Sequence, residues 1–351
     1  MKTIGVGLIG LRHLHPEGYM ALLAQVPQMK AVAFSESDAA VREKFATTHN
    51  LTGYSDWADV IKRDDIDLVL IFLPHAECLA AVQAAAKAGK HVVVEKPMAA
   101  TSQSISEMVE VCRRNGVLLS TPYLWRYHPV AIEIKRLLQT GAIGEVIALE
   151  GRTAAGKPTR YLQISPWILQ KEQSGGGAMH NLGVHWIDLF RWFLDDEVVS
   201  AYGEMKSIYP GIDVEDQALA LITFSKGPKA FLDISYLVPD TYPHGRDLYI
   251  GIRGTKGTIA WSPAFEGTSD ELFVCSEEGE YASAPLRKYL FDIQPAPGYC
   301  GILGVHYLRD LAQTINSGSK PVIPGDEGQK DMEVVEAIYR SAASCRPVCK
   351  G

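Results

Sequence analysis

The sequence predicts a doubly wound α/β domain with a parallel sheet, followed by an α+β domain with a large, mostly antiparallel open sheet. Over the first 120 residues, apolar runs of strand length alternate with helical stretches. After residue 122, strand-like runs follow one another with only turns between them, as in antiparallel hairpins. The chain of 351 residues also exceeds the size of about 250–300 residues at which single cores stop growing, so we expect two domains, 1–122 and 123–351.

The first domain is predicted to contain five strands and four helices. Segment 67–73 is apolar throughout, as a strand that is covered on both faces requires. Thr101 is a typical helix N-cap, and Gly116 a typical helix end. The predicted strands are 4–9, 31–34, 67–73, 91–94 and 117–120, and the predicted helices are 17–25, 39–48, 76–88 and 102–115.

The second domain is predicted to place helices on one side of its sheet. The last helix is a candidate for packing back on the first domain. The predicted strands are 198–208, 217–224, 229–237, 247–253 and 258–261, and the predicted helices are 129–139, 178–194, 305–316 and 328–343.

The composition is that of a globular protein, with 47% hydrophobic and 21% charged residues. A net charge of −7 without a basic block argues against nucleic acid or an anionic membrane as a partner. No apolar run is long enough for a membrane helix, and the apolar start of the chain lacks a signal-peptide cleavage site. The six scattered cysteines form no CxxC motif, so we expect thiols in a reducing, cytoplasmic compartment.

The turn after the first strand is a candidate phosphate-binding loop. The literal GxGxxG match, 5–10, lies inside the strand, whereas the motif needs its glycines after the strand. In the register that follows the strand only Gly10 remains, and Arg12, His13 and Leu14 are the other candidates for contact with a dinucleotide. Arg12 stands at the second glycine position and offers a phosphate a fixed positive charge. A plain strand–turn–helix is the alternative.

An acidic residue, Glu36, follows the second predicted strand. A carboxylate there binds the ribose hydroxyls of NAD and repels the 2′-phosphate of NADP. No Lys or Arg lies within 35–41, so the sequence favours NAD over NADP. A solvated acid at a strand–helix turn is the alternative.

Two further motifs point to a family. Glu95-Lys96-Pro97 ends the fourth predicted strand, at the edge where open α/β sheets bind ligands. The segment 174–188 opens a helix behind three glycines and reads Gly-Gly-Gly…Gly-x-His-x-x-Asp. Together, in this order, they resemble the Gfo/Idh/MocA oxidoreductases, the family of glucose–fructose oxidoreductase and inositol dehydrogenase. Lesser similarities, at 125–129, 214–216 and 254–257, extend over nearly the whole chain.

The resemblance implies an N-terminal Rossmann domain and a second domain whose open sheet often forms an oligomer interface. It therefore implies a homodimer or homotetramer that binds NAD and a small carbohydrate or polyol. The implied reaction is hydride transfer between a carbinol carbon of a sugar, sugar acid or polyol and nicotinamide. Two alternatives remain: an isomerase, epimerase or lyase with tightly bound NAD, and a non-enzymatic regulator, which would not need the motif's lysine and histidine.

The resemblance also implies site residues. Lys96 would lie between nicotinamide and substrate, and His185 would face the reacting carbon. Asn181, His185 and Asp188 stand at i, i+4 and i+7, on one face of a helix. Asn181 replaces the family's usual Asp and cannot take a proton, which leaves His185 as the general acid/base. Asp188 is expected to anchor the helix.

The remaining candidates surround this centre. We expect Pro74, His75 and Glu95 to contact the cofactor, and Trp125, Arg126 and Trp167 to contact substrate. His13 and His15 could suggest a metal, but no carboxylate lies near them in the sequence, so we expect no metal site.

Overall fold

The computed structural model describes residues 2–239, 241–264 and 269–350. Its contacts divide the chain into two units. The first unit comprises Met1–Leu124, Tyr161–Gly175 and Ala296–Lys330, and the second comprises Trp125–Arg160, Gly176–Pro295 and Asp331–Gly351. The first junction thus falls two residues after the domain boundary expected at 122, while two later segments group with the first unit.

The first unit is built on a six-stranded parallel sheet. Its strands are β1 (Ile4–Ile9), β2 (Met29–Ser35), β3 (Thr52–Tyr54), β4 (Leu68–Ile71), β5 (His91–Val94) and β6 (Leu119–Ser120). They lie in the order β3-β2-β1-β4-β5-β6, all paired in parallel, which is the doubly wound topology. Every residue of β1 and β4 is buried, as expected for strands that are covered on both faces.

The second unit is built on a nine-stranded sheet. Its strands are β7 (Val146–Ala155), β8 (Val198–Lys206), β9 (Gln217–Phe224), β10 (Lys229–Ser235), β11 (Arg246–Gly254), β12 (Gly257–Trp261), β13 (Ser269–Ser276), β14 (Leu286–Asp292) and β15 (Val348–Cys349). The order is β14-β13-β12-β11-β7-β10-β9-β8-β15, with one parallel pair, β7–β10. The predicted fold class is confirmed for both units, although β3, β7, β13, β14 and β15 were not predicted.

The helices lie close to their predicted positions. Thr101 caps its helix by accepting a hydrogen bond from the Ser104 N–H, as predicted. The predicted helix 178–194 is in fact a π-helical turn, Met179–Gly183, followed by an α-helix. The α-helices are α1 (Pro16–Leu23), α2 (Ala39–His49), α3 (Trp57–Ile61), α4 (Cys78–Lys87), α5 (Ser102–Arg114), α6 (Pro129–Gln139), α7 (Thr159–Leu162), α8 (Lys171–Ser174), α9 (Val184–Leu194), α10 (Ile302–Ser317) and α11 (Gly325–Ser344).

Two chain-wide features bear on the sequence analysis. Among the described residues, no helix has both the length and the apolar character that are needed to cross a membrane. The cysteines Cys78, Cys112, Cys275, Cys300, Cys345 and Cys349 are free thiols.

Candidate active site

A cavity of about 550 Å³ opens in the first unit, at the carboxyl ends of β1, β2 and β4. That volume lies within the usual range for ligand pockets, ~300–1,000 Å³. Its lining includes the predicted cofactor residues Gly10, Arg12, Glu36 and Pro74, together with Trp167. The sequence predicted a ligand-binding crevice at this edge of the sheet, and the first unit has a cavity there.

Gly10 makes the turn from β1 into the candidate phosphate loop. Its φ is +81°, in the region that favours glycine. A Cβ at this position would lie 2.9 Å from Leu73 Cδ2 and 3.3 Å from the Leu73 amide nitrogen. Glycine is therefore required both for the backbone conformation and for the close approach of the loop to the strand beside it.

Glu36 is buried at the end of β2 and holds the loop in place. Its Oε2 accepts a hydrogen bond from the Leu11 N–H at 2.9 Å. Its Oε1 accepts from the Asp38 N–H at 3.0 Å and the Ser37 hydroxyl at 3.2 Å. A carboxylate offers about four acceptor positions, so these three bonds leave room for a ligand hydroxyl.

Arg42 lies near this cavity and was not predicted, because it stands one helical turn beyond the Glu36 turn in the sequence. The side chain folds back from α2, and its Nη1 donates to the carbonyl oxygens of Glu36 at 2.6 Å and Ser37 at 3.1 Å. A guanidinium thus lies at the same turn as the Glu36 carboxylate. Because this cation lies at the Glu36 turn, the local sequence favours NAD over NADP less strongly than its lack of Lys or Arg at 35–41 indicates.

Trp167 and Arg12 are both part of the cavity wall. The Trp167 indole donates from Nε1 to the Arg12 carbonyl oxygen at 2.6 Å, while the Arg12 side chain is exposed. The sequence analysis expected Trp167 to contact substrate. Its indole forms part of the cavity wall, and a contact of Trp167 with substrate stays a prediction.

His75 lies beside this wall but is not part of the cavity lining. It is buried, its Nδ1 lies 2.7 Å from the Ser174 carbonyl oxygen, and its ring meets the Trp167 ring edge to face. Burial lowers the pKa of His75 to about 4. The imidazole is therefore neutral at pH 7, and Nδ1 carries the proton that it donates to the carbonyl.

Glu95 and Lys96 are buried at the carboxyl end of β5. Glu95 Oε2 accepts a hydrogen bond from the Lys96 N–H at 2.9 Å, and Oε1 lies 2.8 Å from His15 Nδ1. Burial raises the pKa of Glu95. The carboxylate that the sequence analysis did not find near His13 and His15 is thus Glu95, about 80 residues further along the chain.

His13 and Leu14 complete the loop. His13 is buried, and desolvation lowers its pKa well below the usual value for histidine. Leu14 is half-buried. Neither residue lines the cavity, nor do Glu95 and Lys96, so only part of the predicted cofactor set lies on its wall.

In the second unit, the π-helical turn carries Asn181, and α9 carries His185. The Asn181 amide is buried and donates from Nδ2 to the Tyr236 hydroxyl at 3.0 Å, while His185 is half-buried. Because a π turn is wider than an α turn, the expected single α-helical face does not extend across this junction. Tyr236, which directly follows β10, is a further residue of this group that carries no signal in the sequence.

Glu215 fixes the start of the π-helical turn. Its two carboxylate oxygens accept from the N–H groups of Gly177 at 2.8 Å and Met179 at 2.9 Å. Tyr339 donates its hydroxyl proton to the same carboxylate at 2.7 Å. A Cβ at Gly177 would lie 1.9 Å from the Glu215 carbonyl oxygen, so glycine is required there. The glycines of the motif thus let this segment pack directly on the Glu215 backbone.

Asp188 and Arg126 form a buried bidentate ion pair. Arg126 donates from Nε at 3.0 Å and from Nη2 at 2.6 Å to the two Asp188 oxygens. This contact supports the anchoring role expected of Asp188. The Arg126 guanidinium is engaged in this internal pair, and a contact of Arg126 with substrate stays a prediction.

Trp125 is part of an aromatic cluster in the second unit. Its ring lies 5.5 Å from that of Trp186 and 5.7 Å from those of Trp261 and His128, between ring centroids. Such packing is typical of a core. Trp125 is half-buried in this cluster, and its contact with substrate stays a prediction.

The residues of the first unit fit a dinucleotide. Gly10 keeps the loop close to the sheet edge, Arg12 exposes a positive charge, and Glu36 retains an acceptor position. These are the features that a pyrophosphate and an adenosine ribose require.

Comparison with known proteins agrees with this site. A family model described as "Oxidoreductase family, NAD-binding Rossmann fold" matches residues 3–123, and one described as "GFO/IDH/MocA C-terminal domain" matches residues 131–260. Levoglucosan dehydrogenase of Pseudarthrobacter phenanthrenivorans is 25% identical, over 98% of this chain and 97% of that protein. D-xylose 1-dehydrogenase [NADP(+)] of Haloarcula marismortui is 26% identical, over 88% and 81%.

A solved structure shows the same fold over the whole chain. Levoglucosan dehydrogenase in complex with NADH and L-sorbose superposes with a TM-score of 0.87 and 21% identity, over 99% of both chains. The chain therefore belongs to the Gfo/Idh/MocA family of oxidoreductases and has their NAD-binding Rossmann fold.

Proposed function

We propose that the protein is an NAD-dependent dehydrogenase that oxidises a carbinol of a sugar, sugar acid or polyol, or reduces the matching carbonyl. The position of Lys96 carries the proposal. Lys96 is buried at the end of β5, and β5 belongs to the parallel sheet whose edge forms the cavity lined by Gly10 and Glu36. The names of the relatives, levoglucosan dehydrogenase and xylose dehydrogenase, support a sugar-like substrate.

The cavity would hold the adenosine and pyrophosphate of the cofactor. Glu36 would accept a ribose hydroxyl, and Arg12 would contact the phosphates with its guanidinium. Pro74 would form part of the wall, and His13, Leu14, His75 and Glu95 would line the way towards nicotinamide. We propose NAD as the preferred cofactor because the Glu36 carboxylate repels a 2′-phosphate, although Arg42 lies close enough to lessen that preference.

When bound, the nicotinamide supplies the hydride acceptor. The Lys96 ammonium would donate a hydrogen bond to the substrate oxygen and stabilise negative charge that develops there. His185 would take the hydroxyl proton as the carbinol is oxidised and return it in the reverse direction. Asn181, oriented by Tyr236, would hydrogen-bond the substrate without exchanging a proton.

The substrate would be a small carbohydrate or polyol, and the active form a homodimer or homotetramer. Recognition of the substrate would depend first on Lys96, Asn181 and His185. Trp125, Arg126 and Trp167, the other predicted substrate residues, would act mainly through the internal contacts described above.

The proposal is tested with purified full-length protein by absorbance in the reduced-nicotinamide band. Addition of NAD and a panel of polyols, aldoses and sugar acids is expected to give a steady rise with at least one compound. Cofactor that is carried through purification, with no turnover of added NAD, would instead support isomerisation, epimerisation or cleavage with bound NAD. No carried cofactor, no turnover and no binding of NAD or NADP by calorimetry would refute the proposal and favour a regulator.

A further inference from the structure

Three side chains that can bind metal converge beside the cofactor loop of the first unit. Each of His13, His15 and Glu95 offers one ring nitrogen or carboxylate oxygen, and these atoms lie within 4.8 Å of one another. The two imidazole rings meet edge to face, with centroids 4.5 Å apart. His13 and His15 come from the turn before α1 and Glu95 from the end of β5, so the fold brings together what the sequence separates.

The cluster is shielded from solvent, which makes its charge balance important. His13 is 7% exposed and Glu95 is 4% exposed. His15 is half-buried, and its Nδ1 lies 2.8 Å from a Glu95 oxygen. A buried carboxylate needs a compensating cation or several hydrogen bonds. A cation at this position would provide that compensation, in addition to the charge of neighbouring Lys96.

A second observation points to a ligand. The Tyr19 hydroxyl is fully buried and has no hydrogen-bond partner among the described residues. The Tyr19 ring lies 6.0 Å from that of Tyr299, between centroids, and the Tyr299 ring in turn stacks on that of His15 at 3.6 Å. Buried hydroxyls normally have a partner, and water on a metal ion in the cluster would supply one.

We propose that His13, His15 and Glu95 bind a divalent transition-metal ion of the zinc type. Two imidazoles and one carboxylate are a donor set that suits Zn²⁺, Co²⁺ or Ni²⁺, whereas Mg²⁺ and Ca²⁺ prefer oxygen ligands alone. Three protein ligands leave at least one coordination position open, as in reactive rather than structural zinc sites. That position would take water or an oxygen of a small molecule.

Metal entry requires the three ligand atoms, which lie within 4.8 Å of one another, to move to coordinating distances. His15 Nδ1 and Glu95 Oε1 are 2.8 Å apart, as in a hydrogen bond. Two ligands at Zn²⁺ distances of about 2.1 Å in tetrahedral geometry lie about 3.4 Å apart. The pair would therefore separate by roughly half an ångström and release the proton that it shares.

The metal proposal can be tested separately from the proposed dehydrogenase function, which also places His13 and Glu95 on the way towards nicotinamide. None of the three ligands lines the Gly10–Glu36 cavity. Metal binding can therefore be measured on protein that contains no nucleotide, and NAD binding on protein that contains no metal.

The test is a zinc titration of chelator-treated, dialysed full-length protein by calorimetry. Prior alkylation blocks the exposed thiols Cys275, Cys345 and Cys349, which could otherwise bind zinc. The variants are His13→Ala, His15→Ala and Glu95→Gln. The matched control is His49→Ala, because His49 and Glu17 form another imidazole–carboxylate contact at 2.8 Å but are not part of a three-ligand group.

Wild type and the His49 control are expected to bind one zinc ion per chain. Each ligand variant should bind at least 10–100-fold more weakly, since even the loss of an outer-shell partner costs that much. Absence of a one-to-one zinc site in the wild type, or equal affinity in the folded ligand variants, would overturn the proposal. Should the variants fail to fold, the visible spectrum of Co²⁺-loaded wild type decides: four- or five-coordinate bands support the site, and the spectrum of hydrated Co²⁺ overturns it.

Discussion

Replacement of His75 by asparagine is expected to make the protein less sensitive to acid. The His75 imidazole is buried, and its pKa is lowered to about 4 by that burial. In the unfolded chain the same group has a pKa near 6.5. Because His75 resists protonation in the folded state, its contribution to the free energy of unfolding is fully present above pH 6.5. That contribution is lost as the pH falls towards 4.

The size of the effect follows from those two values. Between pH 7.5 and pH 5, linkage predicts that His75 alone costs the folded state about 2 kcal/mol. Asparagine does not titrate, and its amide can still donate to the Ser174 carbonyl that His75 contacts. His75→Asn should therefore lose about 2 kcal/mol less stability than wild type over this range, whatever its stability at pH 7.5.

The assay is urea unfolding at pH 7.5, 6.5 and 5, followed by tryptophan fluorescence. The control is His244→Asn, the same substitution at an exposed side chain, which should leave the wild-type pH dependence unchanged. Equal loss of stability in wild type and His75→Asn would show that the buried His75 is not the group responsible and would refute the argument from burial.

Three further predictions concern neighbouring residues. Glu36→Ser combined with Ser37→Arg should shift the cofactor preference from NAD towards NADP, because the repulsion of a 2′-phosphate is removed and a phosphate partner is gained. The ratio of kcat/KM for the two cofactors measures this preference, and a wild type that prefers NADP would contradict the prediction. Arg12→Gly should weaken NAD binding and make it less salt-sensitive, as calorimetry at two ionic strengths can show; tighter binding would mean that Arg12 only crowds the loop. Asp188→Asn should cost about 3–5 kcal/mol of unfolding free energy in urea, because it removes the carboxylate charge that is paired with the buried Arg126 guanidinium. A loss below about 1 kcal/mol would argue against the pair.

The fold was largely predictable because long apolar and amphipathic segments carry a strong periodic signal. Two of the missed strands, β3 and β7, lack it. β3 has only three residues and is half-exposed or exposed throughout. β7 lies in the middle of its sheet, yet Gly151 and Arg152 interrupt its apolar pattern. Short strands and strands with mixed faces form through pairing with their neighbours, which local sequence does not report.

The site was predictable where a motif is continuous in sequence and unpredictable where it depends on long-range contact. Gly10, Glu36 and Lys96 follow strands, so their edge of the sheet could be inferred. The pairing of Arg126 with Asp188 spans 62 residues, and no local pattern separates such an internal ion pair from a substrate contact. The contact of His15 with Glu95 was hidden for the same reason.

The most direct test of the central claim is steady-state oxidation by Lys96→Ala and His185→Ala, with NAD binding measured in parallel. We predict that both variants fold and bind NAD. The kcat with the best substrate of the wild type should fall by about 10²–10³-fold in Lys96→Ala, the usual cost of losing a donor that stabilises developing negative charge. It should fall by about 10²–10⁴-fold in His185→Ala, the usual cost of losing a proton-transfer group. Near wild-type kcat in either folded variant would contradict its assignment to the chemical step.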